Sequence, residues 1–337
     1  MMSLCLASVA MAHDLGVDVS VSGTRPSANN PRSGMLGVGL SGGFDVSDAF
    51  NVWAGFGYTR DLATQAGDAT SDGSNIFLLT AGAMYLPTES FSLMVNGSFS
   101  PTVSQRSALT LGTNSTPTDT VLVNTSGSLG VGLSGGYQSA GESNWEHAVD
   151  VNVGLLRFST SQKAELPNSV RGNLLKTRCA GNPTLGNCEL VNGVMGSLAQ
   201  VRVGATYTAF LYERFTAGVD GAVYLYDSNP LNAGVYAVVI AGRTVGELGN
   251  GVPVAPLLFS VKPFGSFKTG RFALKVGYQG GLYFGAQGSN HVLSVRPSFK
   301  VTEALKVTLN LTGQADVGSV GLENLGGSAT VSAMYVW

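Results

Sequence analysis

The sequence predicts an all-β fold, a closed antiparallel transmembrane β-barrel of about 14 strands, with 12 or 16 strands as the alternatives. Three observations predict it: the composition, a two-residue alternation of side chains, and aromatic residues at the ends of the alternating segments. The chain has 337 residues, of which 44% are hydrophobic, 12% are charged and 46 are glycine. An ordinary soluble domain carries about 25% charged residues. The low share of charged residues therefore indicates that many apolar side chains face an environment other than the buried core of a soluble domain.

The composition also excludes several classes of protein. A net charge of -2 together with 15 Phe and 11 Tyr is unlike a disordered chain, which combines low hydrophobicity with high net charge. The same charge balance provides no basic surface for nucleic acid, so we expect no nucleic-acid partner. No segment approaches the 18 consecutive apolar residues of a membrane-spanning helix. A membrane would have to be crossed by strands.

Alternation is clearest near the end of the chain, where Leu305, Val307, Leu309 and Leu311 alternate with polar residues. Segments of about ten residues with this pattern recur, joined by connections that are alternately short and long, as is typical of membrane barrels. Long connections are expected near residues 62–74, 101–125, 160–195, 228–254, 286–289 and 317–324. Because short turns face the periplasm in such barrels, both termini are expected there.

Aromatic residues mark both ends of the predicted strands. On outward parity, next to the short turns, lie Phe44, Phe50, Tyr85, Phe91, Tyr137, Trp145, Phe215, Phe267, Phe272, Phe299 and Trp337. At the opposite ends lie Tyr58, Phe77, Phe99, Phe259 and Phe284. Amphipathic rings favour the headgroup level of a bilayer. Two aromatic belts are therefore predicted.

The chain is predicted to be one barrel domain, residues 13–337, preceded by a signal-peptide remnant, residues 1–12. The remnant is a short apolar run that ends in small residues at Ala10 and Ala12. After its removal two cysteines remain, Cys179 and Cys188. They either form a disulfide in an oxidising compartment or stay as two unpaired thiols in a loop.

The last strand resembles the ending of the outer-membrane β-barrel proteins of Gram-negative bacteria, with Tyr335 two residues before a terminal Trp337. The resemblance implies that these two residues form the signal read by the barrel-assembly machinery. It also implies a location in the outer membrane, in contact with its lipid and lipopolysaccharide.

Within that superfamily, a strand count near 14 and a rather apolar interior resemble the long-chain fatty-acid and hydrocarbon transporters. Those proteins carry an N-terminal hatch ahead of the first strand. Here His13 runs almost directly into Val17 and Val19, so a plug is expected to come from a loop.

Parity assigns a set of basic residues to the lumen, on the four strands before the last: Lys262, Lys268, Arg271, Lys275, Arg296, Lys300 and Lys306. Arg202, Asp220 and Trp53 are further pore-lining candidates. Basic walls favour anions in a pore. The alternative is that the charges hydrate the lumen and pair with acids on other strands, such as Asp45, Glu146, Asp150 and Asp220.

The connection at 228–254 contains an apolar run that does not belong in water. Its candidate plug residues are Val235, Tyr236, Val238, Ile240 and Arg243. The run either folds into the lumen as a constriction, forms an apolar entrance for a lipophilic substrate, or adds a hairpin that raises the strand count to 16.

No enzyme is expected, because the three histidines lie too far apart in the predicted strands to cooperate. His291, with Ser289 or Ser294 nearby, is the weak exception. No metal site is expected either, because no cluster of Cys, His and Asp residues has metal-ligand spacing, and no cofactor is expected. The predicted function is passive diffusion of small solutes, with a lumen biased toward anionic or amphipathic ones, through a monomeric channel. A plugged fatty-acid or hydrocarbon transporter and a structural or adhesive surface barrel are the alternatives.

Overall fold

The fold is a barrel of long antiparallel strands, taken from a computed structural model. The structure describes residues 14–25, 34–62, 64–66, 69–71, 75–111, 118–139, 145–165, 194–211, 214–228, 236–240, 243–248, 257–286, 288–318 and 321–337. The barrel strands are β1 (Asp14–Arg25), β2 (Gly34–Ser47), β3 (Phe50–Asp61), β6 (Asn75–Thr88), β7 (Phe91–Leu111), β8 (Thr118–Gln138), β9 (Trp145–Glu165), β10 (Val194–Leu211), β11 (Phe215–Tyr226), β14 (Leu257–Thr269), β15 (Phe272–Tyr283), β16 (Ser289–Lys300), β17 (Leu305–Gly318) and β18 (Gly321–Val336).

Two short hairpins lie in the connections between barrel strands. The first consists of β4 (Thr64–Ala66) and β5 (Ala69–Ser71), and the second of β12 (Tyr236–Ile240) and β13 (Arg243–Leu248). β12 and β13 pair with each other in a sheet of their own. They do not extend the barrel.

Closure comes from the pairing of the first and last strands. β1 pairs antiparallel with β2 on one side and with β18 on the other, in a register that runs from Asp14 opposite Val336 to Arg25 opposite Leu325. The remaining barrel strands pair with their neighbours in the same antiparallel way. The predicted closed antiparallel barrel of 14 strands is confirmed, and the counts of 12 and 16 are wrong. In the part of the chain that the structure describes, no helix is long and apolar enough to cross a membrane.

The two faces of the barrel wall differ in the size and polarity of their side chains. Large apolar side chains point outward: Leu133 on β8 and Val19 on β1 are 61% and 56% exposed. On the inner face, the residues on either side of Leu133 are Gly132 and Ser134. An apolar outer face would be unstable in water, so this wall fits a barrel surrounded by lipid.

Aromatic rings follow the outer face at the end where the short turns, the start of β1 and the end of β18 lie, called here the turn end. Every ring predicted there is exposed among those that the structure describes, and the side chain of Trp145 lies outside that part. Phe91 and Tyr137 lie with their ring centroids 5.0 Å apart, and Phe215 and Phe267 with theirs 4.9 Å apart. The rings of neighbouring strands thus form a belt.

The opposite end, called here the loop end, differs from the prediction at Phe284. This residue lies in a one-turn 3-10 helix, Phe284–Ala286, after β15 has ended. Its ring meets the ring of Tyr226 edge-on, with the centroids 5.8 Å apart. Because the turn reverses the direction of the side chain, Phe284 packs against an inward tyrosine instead of joining an outer belt.

Three strands are much longer than the predicted ten residues. β7, β8 and β9 each have 21 residues, whereas about 9–11 tilted residues suffice to cross a bilayer. Most of the connection predicted at 101–125 is therefore strand, and so are the first residues of the connection predicted at 160–195, up to Glu165. Backbone pairing continues through these segments, from Val103 opposite Ser126 to Leu111 opposite Thr118 and from Val121 opposite Glu165 to Ser126 opposite Thr160.

Arg271, which was predicted on the inner face of a strand, lies in the turn between β14 and β15. Gly270 has φ of 51°, a left-handed conformation that glycine adopts without steric cost. Arg271 follows it in the turn, so Arg271 lies at the rim of the turn end and not on the inner face of a strand.

Leu133→Lys is expected to lower the free energy of unfolding by about 2–4 kcal/mol, because an outward charge near mid-membrane loses its hydration. Ser134→Lys is the matched control, since it places the same side chain one residue along on the inner face. Urea unfolding of the barrel in phospholipid vesicles measures both variants. Equal losses in the two would contradict the assignment of the faces.

Candidate functional site

The candidate site is the inner face of β14–β17, where basic side chains collect. The inward register positions of these strands carry Lys262, Lys268, Lys275, Arg296, Lys300 and Lys306. On the described part of the same strands Asp316 is the inward acid, and it lies near the loop end. This surface, called here the basic wall, has a net positive charge. That its residues line a conducting pore stays a prediction.

The strand register places like charges directly opposite each other twice within the basic wall. Lys275 is the cross-strand partner of Arg296, and Lys300 is the partner of Lys306. Such pairs are destabilising by up to about 1 kcal/mol. The Lys275 ammonium lies 4.6 Å from the ring centroid of Phe264, a cation–π contact that offsets part of this cost. The register therefore brings two pairs of cations side by side on the basic wall.

A cavity of about 370 Å³ lies against the basic wall. Lys262, Lys275 and Arg296 line it, and its lining contains no carboxylate. Leu257, Tyr283 and Val292 supply apolar surface. The amides of its lining are Gln279, Asn290, Asn310 and Gln314. The cavity thus combines three cations, neutral polar groups and an apolar part.

The absence of a side chain at Gly277 contributes to the volume of this cavity. A Cβ atom at this position would meet Ser294 Oγ at 3.1 Å and Lys262 Cε at 3.5 Å. The Ser294 hydroxyl donates a hydrogen bond to the Gly277 carbonyl at 3.2 Å. A larger residue at position 277 would therefore project into the cavity between these two side chains.

Aromatic and apolar side chains lie at the loop-end side of the cavity, and two of them, Leu257 and Tyr283, belong to its lining. This group, called here the collar, consists of Tyr224, Tyr226, Leu257 and Tyr283. Tyr224 and Leu257 are 4% and 9% exposed, and Tyr226 and Tyr283 pack against them. The Tyr226 hydroxyl donates to the Leu257 carbonyl at 2.8 Å, which ties the end of β11 to the start of β14. The collar was not predicted, although the inward parity of the two tyrosines on β11 is visible in the sequence.

Asp316 is the hydrogen-bonded centre of the rim beside the collar. It accepts hydrogen bonds from the Tyr283 hydroxyl at 2.6 Å and from the Asn290 amide at 2.7 Å. Gln314 donates to the same carboxylate at 3.3 Å. These bonds stabilise the negative charge of Asp316 and fix three residues that line the cavity.

The predicted pore-lining residues Arg202 and Asp220 are brought together as an ion pair. The guanidinium lies 3.2 Å from the Asp220 carboxylate and also donates to Asn152. The Thr206 hydroxyl donates to Asp220 at 3.2 Å. Lys262 is the cross-strand partner of Asp220. Asp220, named above as a possible partner of the basic residues of the four strands, thus forms its ion pair with Arg202, which is not one of those residues.

Trp53 lies on β3, away from the basic wall. In the sheet order β2, β1 and β18 stand between β3 and β17. The indole covers the position that a Cβ atom at Gly82 would take, so the glycine is needed for this close approach. Trp53 therefore lies flat against its own wall.

The predicted plug residues fall mainly on the β12–β13 hairpin. Tyr236, Val238 and Ile240 lie on β12, and Arg243 opens β13. Because this hairpin does not join the barrel, the prediction that it raises the strand count is wrong. Val235, both loop cysteines Cys179 and Cys188, and the predicted signal remnant lie outside the described residues.

His291 makes closer contacts than the sequence indicated. Its Nε2 lies 2.9 Å from Ser289 Oγ, and its Nδ1 lies 2.6 Å from the Tyr278 hydroxyl. His147 similarly meets the Tyr207 hydroxyl at 2.7 Å. Both imidazoles lie on outward parity, where a phenol satisfies a polar group at the membrane surface. In the described part of the chain, no group of three His, Cys, Asp or Glu residues could hold a metal ion.

Tyr335 of the predicted assembly signal lies on β18, the strand that closes the barrel against β1. Tyr335 lies between Leu15 of β1 and Leu305 of β17 in the register. Its ring stacks near that of Trp337, with the centroids 5.9 Å apart. Recognition by the assembly machinery stays a prediction.

No family model and no curated protein matches this chain. Solved structures match it in fold. They include the CymD monoaromatic hydrocarbon channel, at a TM-score of 0.60 and 11% identity over 98% of this chain and 89% of that one. The Ralstonia pickettii toluene transporter TbuX matches at 0.56 and 8%, over 97% and 90%. The translocator domain of the Neisseria meningitidis autotransporter NalP matches at 0.51 and 11%, over 98% and 90%. At these identities the likeness concerns the fold, which transport channels and a translocator share.

Proposed function

We propose that this protein is an outer-membrane transport barrel that carries small lipophilic or amphipathic molecules down their gradient. The observation that carries the proposal is the cavity below the collar, which joins apolar and polar surface inside a closed barrel. The fold likeness to the CymD monoaromatic hydrocarbon channel and the toluene transporter TbuX supports it. In this proposal the turn end faces the periplasm and the loop end faces outward.

The β12–β13 hairpin is the proposed plug. It lies in the connection between Tyr226 and Leu257, the two collar residues that the Tyr226 hydroxyl joins. A two-stranded hairpin is marginally stable alone in water, and the sequence of β12, YAVVI, is apolar. Packing across the mouth of the barrel would remove this surface from water.

A diffusion channel that is open to small anions is the second candidate. It is favoured by the basic wall, because basic side chains on the inner face of a pore favour anions. Conductance separates the two candidates, because an open lumen conducts steadily and a plugged one is silent.

The proposed setting is the outer membrane, where the belts contact lipid and lipopolysaccharide. Assembly through the Tyr335 and Trp337 signal, a monomeric state, and a Cys179–Cys188 disulfide in the outward loops belong to the same proposal.

Gly277→Leu tests the proposed function, because the new side chain fills the cavity without changing any charge. Uptake of labelled toluene by Gram-negative cells that express the barrel is the measurement, since lipopolysaccharide slows the unassisted entry of hydrocarbons. We expect wild-type protein to raise the initial rate several-fold and Gly277→Leu to abolish most of the gain.

Gly313→Leu is the matched control. Gly313 lies on the outward parity of β17, and a Cβ atom there meets nothing within 4 Å, so uptake is expected to stay at the wild-type level. Equal toluene uptake with and without the wild-type barrel would contradict the proposed function.

A further inference from the structure

We propose that Ser289, His291 and Tyr278 form a second site, on the outer face of the barrel, which hydrolyses acyl esters of the surrounding lipid. Ser289 is the nucleophile, His291 is the general base and Tyr278 is a positioning residue. The three residues lie on β15 and β16, on the other side of the wall from the cavity. The inference is therefore independent of the transport proposed for the lumen.

Two hydrogen bonds join the three side chains in a row. The Nε2 of His291 lies 2.9 Å from Ser289 Oγ, and its Nδ1 lies 2.6 Å from the Tyr278 hydroxyl. In the imidazole tautomer with the proton on Nδ1, this nitrogen donates to the phenol oxygen and Nε2 accepts from the serine hydroxyl. A hydroxyl held by a base, with a third group that orients the base, is the arrangement of an activated nucleophile.

Strand geometry brings these side chains together on the outer face. Ser289 and His291 are two residues apart on β16, so their side chains point to the same side. Gly280 on β15 is the cross-strand partner of His291. The Tyr278 ring lies beside this glycine, 3.7 Å from the position of a Cβ atom there, and its centroid is 6.1 Å from that of the imidazole. The glycine thus leaves the space across which the phenol reaches His291.

A second imidazole–phenol pair, at the turn end, shows what distinguishes this site. The Nδ1 of His147 lies 2.7 Å from the Tyr207 hydroxyl, and the two rings stack with their centroids 5.9 Å apart. The hydroxyl of the nearby Ser139 bonds the main chain of His147. The pair at the loop end, in contrast, has a serine hydroxyl at the Nε2 of its imidazole. This serine turns an oriented imidazole into a base with a nucleophile.

The register places the site at the level of the lipid headgroups. Ser289 is the cross-strand partner of Leu282, and Leu282 is the partner of Phe259, one of the outward rings at the loop end. Such rings favour the membrane interface, where the ester linkages of a glycerolipid lie. Toward the turn end, Leu293 is the next outward residue after His291 and is 52% exposed. An acyl chain that packs on Leu293 therefore has its ester near Ser289.

The hydrolysis needs water as its second substrate. Ser289 Oγ attacks the ester carbonyl carbon, and the hydroxyl proton passes to His291 Nε2. The bond from that carbon to the glycerol oxygen breaks, and the proton moves from Nε2 to this oxygen, which leaves as the hydroxyl of a lysolipid. Water then attacks the acyl ester on Ser289 and gives a proton to Nε2. The fatty acid leaves, and the proton returns to Ser289 Oγ.

Release of fatty acid from dioctanoylphosphatidylcholine by the purified barrel in detergent micelles measures this activity. We expect Ser289→Ala and His291→Phe each to lower the rate at least about a hundredfold, because a positioned general base contributes roughly 10²–10⁴-fold. His147→Phe is the matched control, since it removes the imidazole of the other His–Tyr pair, and it is expected to keep the wild-type rate. No release by the wild-type protein, or equal release by Ser289→Ala, would overturn the site.

A fluorophosphonate probe tests the nucleophile separately, because it forms a stable ester with an activated serine hydroxyl as fluoride leaves. Mass spectrometry is expected to find the adduct on the peptide that contains Ser289 in the wild-type protein and in His147→Phe, but not in His291→Phe. Equal labelling of Ser289 in His291→Phe would overturn the role of the imidazole. Heat-dependent electrophoretic mobility verifies that each variant is folded.

Tyr278→Phe tests the positioning role, because it removes the hydroxyl and keeps the ring. We expect kcat to fall about tenfold with KM unchanged, the loss of one hydrogen bond of about 1.4 kcal/mol that orients the base. Tyr207→Phe is the matched control and is expected to change neither constant. An unchanged kcat in Tyr278→Phe would overturn this role. Toluene uptake by Ser289→Ala is expected to equal that of the wild-type protein, and a loss of uptake in this variant would overturn the independence of the two sites.

Discussion

Replacing residues 236–248 by a short Gly-Ser linker is expected to convert a silent barrel into a steadily conducting one in a planar bilayer. The residues removed are the β12–β13 hairpin, which forms its own sheet and adds nothing to the 14-stranded wall. The barrel fold is therefore expected to remain intact. A barrel of this size has a lumen wider than its inward Gly and Ser side chains fill, so removal of the plug should leave a water-filled path.

The β4–β5 hairpin offers a matched control for this deletion. Replacing residues 64–71 by the same linker removes a hairpin from the loop end but leaves β12 and β13 in place, and this variant is expected to remain silent. Single-channel recording of the refolded proteins measures all three. Steady conductance of the wild-type protein, equal to that of the first variant, would contradict the plug and favour the open diffusion channel.

Changing Lys262, Lys275, Arg296 and Lys300 to Gln in the open barrel is expected to shift ion selectivity from anions toward cations. Four positive charges leave one wall, while Asp14, Asp18 and Asp45 remain on the inner faces of β1 and β2. Rings or ladders of like charge set the selectivity of a pore. The reversal potential under a salt gradient measures the shift, and a change of its sign is the expected result.

The acidic side of the lumen provides the opposite control. Asp14→Asn, Asp18→Asn and Asp45→Asn together are expected to increase the preference for anions, which separates a charge effect from a change of pore width. If the reversal potential of the four-Gln barrel equalled that of its parent, the basic wall would have no role in selectivity.

Strand alternation allowed the sequence to predict the closed all-β barrel, its count of 14 strands and the outward aromatic belt. Each of these depends on residues near in sequence, because the direction of a side chain in a strand follows from parity alone. For the same reason, the sequence predicted that Lys262, Lys275 and Arg296 lie on the inner face. The sequence did not predict the lengths of β7, β8 and β9, because the residues at the loop ends of these strands do not alternate regularly between apolar and polar.

Only the tertiary structure determined which inward-facing residues lie next to each other. Parity places Lys275 and Arg296 on one face, but the register of β15 against β16 makes them direct partners. The collar needs four side chains from β11, β14 and β15 at one height, and the ion pair of Arg202 with Asp220 needs the register of β10 against β11. Register and closure depend on pairing between strands, which the residue pattern of a single strand does not specify. The assignment of side chains to the two faces depends only on alternation within each strand, so the sequence itself determined it.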